Sequence, residues 1–206
     1  MNKMLLALMI LCLAPVGGAQ ALEFDIEQDS ITVSALEYGS GEHVLLALPG
    51  AKPGKTPNRK SLKKISAEIA ENAPGIKVIS ITWSDEEAVA AAVRYARMNG
   101  AKKISLLGHS RGAEMAGRFA STQADGEFDS LILLSSADDQ GIPLTKTKKL
   151  FVYNKGDSYA SWTPVSFDKS AEPKEMLALD GNGHLIKHLE AERPSLIEDI
   201  VKLLNQ

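Results

Sequence analysis

The chain has 206 residues, enough for one ordinary hydrophobic core and short for two domains. With 44% hydrophobic and 24% charged residues, it has the make-up of a globular protein rather than a fibrous or disordered one. A formal net charge of −3 leaves no basic excess of the kind that nucleic-acid or membrane-surface binding requires, so no nucleic-acid partner is expected.

The N-terminal stretch differs from the rest. Lys3 supplies a positive start, Met4 to Ala14 form an apolar run, and Ala19-Gln20-Ala21 has the small residues of a cleavage site. The pattern predicts a signal peptide over residues 1–21, export to the periplasm or medium, and a single mature domain over residues 22–206. The apolar run is too short to span a membrane comfortably, so no stable membrane insertion is expected after cleavage. An N-terminal anchor is the competing reading. Cys12 is the only cysteine, and bulky Met9, Ile10 and Leu11 precede it where a lipoprotein signal carries small residues. The mature chain therefore lacks cysteine, which excludes both disulfides and thiol catalysis.

Beyond the leader, strand and helix patterns alternate. Ile31 to Leu36 is rich in β-formers, and Val44 to Leu48 is an apolar strand ending at Pro49-Gly50. Leu62 to Ala73 has helical spacing and stops at Pro74-Gly75. Ile76 to Trp83 reads as a strand, and Asp85 to Asn99 as an Ala-rich helix capped by Ser84 or Asp85 and closed by Gly100. Lys103 to Leu107 is the next strand and Ser110 to Gln123 the next helix. Leu131 to Leu134, Leu150 to Tyr153 and Glu175 to Leu179 are further strands, before a closing helix over Ser195 to Leu204. Apolar strands separated by helices predict a mostly parallel sheet covered on both faces. Such sheets hold ligands at the carboxyl ends of their strands.

At one of those ends stands Gly108-His109-Ser110-Arg111-Gly112, a G-x-S-x-G sequence. About one chain in fifteen of this length would contain the pentapeptide by chance, so its context decides. An apolar strand precedes it and a helix rich in small residues follows, the setting of a nucleophile elbow. Ser110 is then the candidate nucleophile, and it needs a base. Of the four histidines, His43 opens a strand, and His109 sits beside the serine with its side chain pointing away. His184 follows the loop Gly181-Asn182-Gly183 just past the last strand. It is the preferred base, with His188, expected on the surface, as the rival. The acid should follow the strand before that. Asp157, after Leu150 to Tyr153, is preferred over Asp138, Asp139 and Asp180; its task would be to hold one imidazole tautomer.

Through Gly108-His109-Ser110-Arg111-Gly112, Gly156-Asp157 and Gly183-His184, the chain resembles the α/β-hydrolase superfamily from about Ile31 to the C-terminus. The resemblance implies an α/β-hydrolase fold and acyl transfer to water through an acyl-serine, with neither metal nor cofactor. It also implies an oxyanion hole from the backbone N–H groups of Arg111 and, in the loop after Leu48, Ala51. Many members carry His-Gly where this chain has Pro49-Gly50. Only about a dozen residues separate Leu134 from Leu150, near the minimum for a parallel crossover, so a minimal lid and an open site are expected. The expected activity is that of a carboxylesterase-like serine hydrolase on a small-molecule acyl substrate. A peptidase, an acyltransferase and an inactive binding protein share these features. Gly50 to Thr56 imitates a phosphate-binding loop, but Pro49 stands where that motif needs its first glycine. Lys52, Lys55, Arg59, Lys60, Lys63 and Lys64 form a basic run that reads as a solvated helix face or as an attractor for an anionic substrate. Trp83 and Trp162 are candidates for a pocket wall or for the core.

Overall fold

The continuous apolar runs set the centre of the sheet. In the computed structural model, which describes residues 21–28, 31–50, 59–82 and 85–206, they form β3 (His43–Leu48), β4 (Ile76–Ile81), β5 (Lys103–His109), β6 (Ser130–Leu134) and β7 (Lys148–Asn154). These strands pair in parallel, and β8 (Lys174–Leu179) extends them in parallel at one edge. A hairpin of β1 (Leu22–Gln28) and β2 (Ile31–Gly39) completes the other side, with β2 antiparallel to β4. The eight-stranded open sheet has the order β1-β2-β4-β3-β5-β6-β7-β8.

Strands apolar on both faces must be covered on both faces. One layer holds α1 (Arg59–Asn72), α5 (Ile186–Glu192) and α6 (Leu196–Leu204), which bury Leu62, Ile65, Leu189 and Ile200 against Leu45, Leu107 and Val152. The other holds α2 (Glu86–Met98) and α3 (Arg111–Ser121), joined by Phe167 of α4 (Trp162–Lys169). The periodicity of α6 explains its place: Leu196, Ile200, Leu203 and Leu204 share one buried face. Of the two caps considered for α2, the structure uses Asp85, whose Oδ1 accepts the Ala88 N–H at 2.8 Å.

The sheet is the doubly covered, mostly parallel one expected. Three elements go beyond the sequence reading. In β1, Leu22, Phe24 and Ile26 alternate with Glu23, Asp25 and Glu27, the signature of a strand with one solvated face, but it directly follows the segment expected to be a leader. Helices α4 and α5 have 8 and 7 residues, too few to show a helical period or to hold together alone, so packing on β7 forms them. Residues 135–147, between β6 and β7, contain neither helix nor strand, which leaves no lid on that crossover. Residues 1–20, where a leader is expected, and Ala51, Lys52, Lys55 and Trp83, lie outside the described residues, as do the side chains of Arg59 and Lys60.

Candidate active site

Strand β5 delivers Ser110 to the amino end of α3 with no intervening loop. The helix begins at Arg111, and Ser110 itself has φ 55° and ψ −121°, a conformation that costs a non-glycine residue of order 1–3 kcal/mol. Close packing holds it there. A methyl group at Gly112 would collide with the Leu48 carbonyl, and one at Gly108 with the backbone of Gly112 and Ala113, so strand, turn and helix can meet only through glycine. The backbone is tied on both sides as well. The Ser110 N–H donates to Leu134 O at 2.8 Å, and the Ser110 carbonyl accepts from Ala113 and Glu114 at 2.9 and 3.1 Å.

Two other strand ends supply the partners. His184, in the loop after β8, places Nε2 2.8 Å from Ser110 Oγ. Its Nδ1 lies 2.7 Å from Oδ2 of Asp157, in the turn after β7. A buried carboxylate only accepts, so Nδ1 carries the proton and Nε2 presents its lone pair to the serine hydroxyl. The Asp157 side chain is 1% exposed and that of His184 24%, which keeps the carboxylate out of water while the imidazole edge meets it. The other carboxylate oxygen, Oδ1, accepts the Tyr159 N–H at 3.0 Å.

The rival acids are committed elsewhere. Asp138 pairs with Arg118, 3.0 Å from its Nε, beside a separate cavity of about 260 Å³ between α3 and the loop after β6. Asp139 accepts from Gln140 at 2.8 Å. Asp180 is bound by Lys155 at 2.6 Å, and that ammonium holds its carboxyl below the usual range. His188 is half-buried against Gly183 rather than on the surface, because α5 turns back over the loop that carries His184. His43 is structural, as expected: its Nε2 meets Ser105 Oγ at 2.9 Å, and burial lowers its pKa. At the end of the basic run, Lys64 is paired with Glu190 at 2.8 Å on α5, which favours the helix-face reading of that residue over the anion attractor.

Two site residues had no role in the sequence reading. His109 is buried, with its ring 5.3 Å from that of His184 and its Nε2 2.8 Å from the His184 carbonyl. Burial pushes its pKa down to about 4, so the ring is neutral near pH 7 and donates Nε2–H to that carbonyl. Asn154, fully buried at the end of β7, donates Nδ2–H to Gly183 O at 2.7 Å. Side chains from β5 and β7 thus grip consecutive carbonyls of the loop that carries His184. The only signal in the sequence was a polar residue closing each apolar strand. If Asn154 positions the loop, Asn154→Ala should lower kcat by about 10- to 100-fold and change KM little, since a base displaced by ~1 Å costs on this scale. Steady-state kinetics check this, and a rise in KM at unchanged kcat would remove the positioning role.

The N–H groups of Arg111 and Gly112 open α3 at its positive end, beside Ser110. The loop after β3 reaches the same place: a methyl on Gly50 would come within 3.0 Å of Ser110 Cβ. Ala51, the second expected oxyanion donor, follows it outside the described residues.

No family model matches the chain, and no curated protein does. Solved structures match closely in shape. The alpha/beta hydrolase GrgF from Penicillium sp. sh18 superposes with a TM-score of 0.72 at 15% identity, covering 90% of this chain and 97% of that one. The esterase domain of a Rhodothermus marinus protein gives 0.69 at 14% identity, covering 89% and 97%. An a/b serine hydrolase without lid from Xanthomonas campestris gives 0.64 at 11% identity, covering 94% and 99%. The chain has the α/β-hydrolase fold.

Proposed function

We propose that this chain, built on the α/β-hydrolase fold, is a serine hydrolase that cleaves small acyl esters through an acyl-enzyme, with Ser110 as nucleophile, His184 as base and acid, and Asp157 as the orienting carboxylate. The observation that carries the reading is the unbroken chain from Ser110 Oγ through His184 to Asp157, at 2.8 and 2.7 Å, at the carboxyl ends of parallel strands.

The steps follow from that chain. Ser110 Oγ attacks the ester carbonyl carbon while its proton passes to His184 Nε2. The carbonyl oxygen takes up negative charge, which the Arg111 N–H at the head of α3 stabilises, with Ala51 as the proposed second donor. As the carbonyl re-forms, the bond to the alcohol oxygen breaks, and Nε2–H protonates that oxygen. Water then attacks the acyl-serine and gives a proton to Nε2. That proton returns to Ser110 Oγ as the carboxylic acid leaves. Asp157 stays ionised throughout and offsets the imidazolium charge. No step calls for a metal or a cofactor. The open crossover after β6 favours small, accessible esters over long acyl chains needing a covered tunnel.

The test is hydrolysis of a short-chain nitrophenyl ester combined with labelling by a fluorophosphonate. EDTA should leave the rate unchanged, since no step uses a metal. Labelling should block turnover in step with the fraction of protein modified. Absence of labelling with an unreactive ester, or chelator-sensitive turnover, would overturn the proposal.

A further inference from the structure

Six large apolar side chains are notably exposed among the described residues, and four of them, Tyr159 (45%), Trp162 (44%), Val165 (40%) and Leu185 (39%), lie in the two segments that carry Asp157 and His184. A cluster of this kind beside polar chemistry marks a binding surface rather than stray apolar residues. The contacts give it order. The Tyr159 ring lies 5.0 Å from the His184 ring, tilted by 55°, and the Trp162 ring stands edge-on to Tyr159 at 5.9 Å. Val165 follows Trp162 by three residues on α4 and so lies on the same side of that helix. The turn is anchored from within, because Asp157 Oδ1 holds the Tyr159 N–H and Asp157 O accepts from Ala160 at 2.9 Å. The aromatic pair is therefore fixed to the same turn as the acid.

We propose that Tyr159 and Trp162 form an aromatic platform that receives a flat, apolar alcohol portion of the ester. This rests on the serine-hydrolase reading and adds a substrate class to it. The side assignment follows from the chemistry. The acyl oxygen must face the amino end of α3, whereas the departing oxygen must lie at His184 Nε2 to be protonated. What projects beyond the imidazole is the alcohol group, and of the two rings beside that imidazole His109 is buried while Tyr159 is exposed. Exposed rings held in a fixed arrangement offer stacking area without a large ordering cost. An aryl-methyl or phenolic alcohol fits this surface.

Benzyl acetate and methyl phenylacetate are isomers that carry the phenyl ring on the alcohol and on the acyl side respectively. The readout is the ratio of their kcat/KM values, in which general losses of activity cancel. Trp162→Ala and Tyr159→Ala should each lower the benzyl acetate to methyl phenylacetate ratio by about 3- to 10-fold, chiefly through KM for benzyl acetate. Tyr159→Phe should keep the wild-type ratio, since it keeps the ring. Trp162→Leu retains apolar bulk without the flat face and should fall in between, which covers the case of a poorly folded alanine variant. An unchanged ratio overturns the platform, and so does a rise caused by loss of methyl phenylacetate turnover, which would place the ring on the acyl side. If the wild type hydrolyses neither isomer nor any short-chain ester, the serine-hydrolase reading itself fails, an outcome distinct from an unmoved ratio.

Discussion

Ser110→Ala should reduce kcat on a short-chain ester by roughly 10⁵- to 10⁶-fold and abolish fluorophosphonate labelling. Without Oγ no acyl-enzyme can form, and what remains is the modest assistance of the α3 amino end to direct attack by water. The variant also separates chemistry from folding. Alanine keeps the Cβ, so the strained backbone at φ 55° and its ties to Leu134, Ala113 and Glu114 stay as they are. Among the described residues the hydroxyl's partner is His184, which can turn its Nε2 edge to water, since its side chain is part-exposed. Thermal unfolding should therefore move by no more than a few degrees. Turnover within about tenfold of the parent, by a protein free of contaminating esterase, would rule Ser110 out as nucleophile.

The second large effect belongs to Asp157. Asp157→Asn keeps the shape of the side chain but presents an amide where the carboxylate accepted Nδ1–H. It favours the imidazole tautomer that puts a proton on Nε2, the atom that must take one from Ser110, and it removes the charge that offsets the imidazolium. A loss of about 10⁴-fold in kcat with KM little changed is expected. The burial of this carboxylate, 1% exposed, leaves water no room to replace it. Asp138→Asn breaks the Arg118 pair and should lower stability, yet its turnover should remain within about tenfold. Asp139→Asn and Asp180→Asn should do the same, because their partners Gln140 and Lys155 take no part in the chemistry. An essential Asp138 beside a dispensable Asp157 would move the acid to the end of β6.

The elbow was legible because it is local. Two glycines, an apolar strand and a helix of small residues stand within one short stretch, and each answers a steric demand of the same turn. The α2 cap and the buried stripe of α6 were legible for the same reason. Short helices were not, since α4 and α5 acquire their form from packing on β7 rather than from their own periodicity. The fates of His109 and Asn154 were hidden for a different reason. A polar residue closing an apolar strand shows where it stands, but the carbonyls it grips belong to a loop 75 and 29 residues further along the chain.

The sequence by itself determined the alternation of strands and helices, the covered parallel sheet that follows from it, and the elbow that holds Ser110 between strand and helix. Those properties reside in periodicity and in the steric needs of single turns. The tertiary structure decided which of four aspartates meets the imidazole, which histidine meets the serine, and that Tyr159 and Trp162 face outward beside them. Each of these choices depends on side chains converging from separate strand ends, across 74 residues for Ser110 and His184 and 27 for Asp157 and His184. Only the order and register of the strands bring such distant positions within hydrogen-bonding reach.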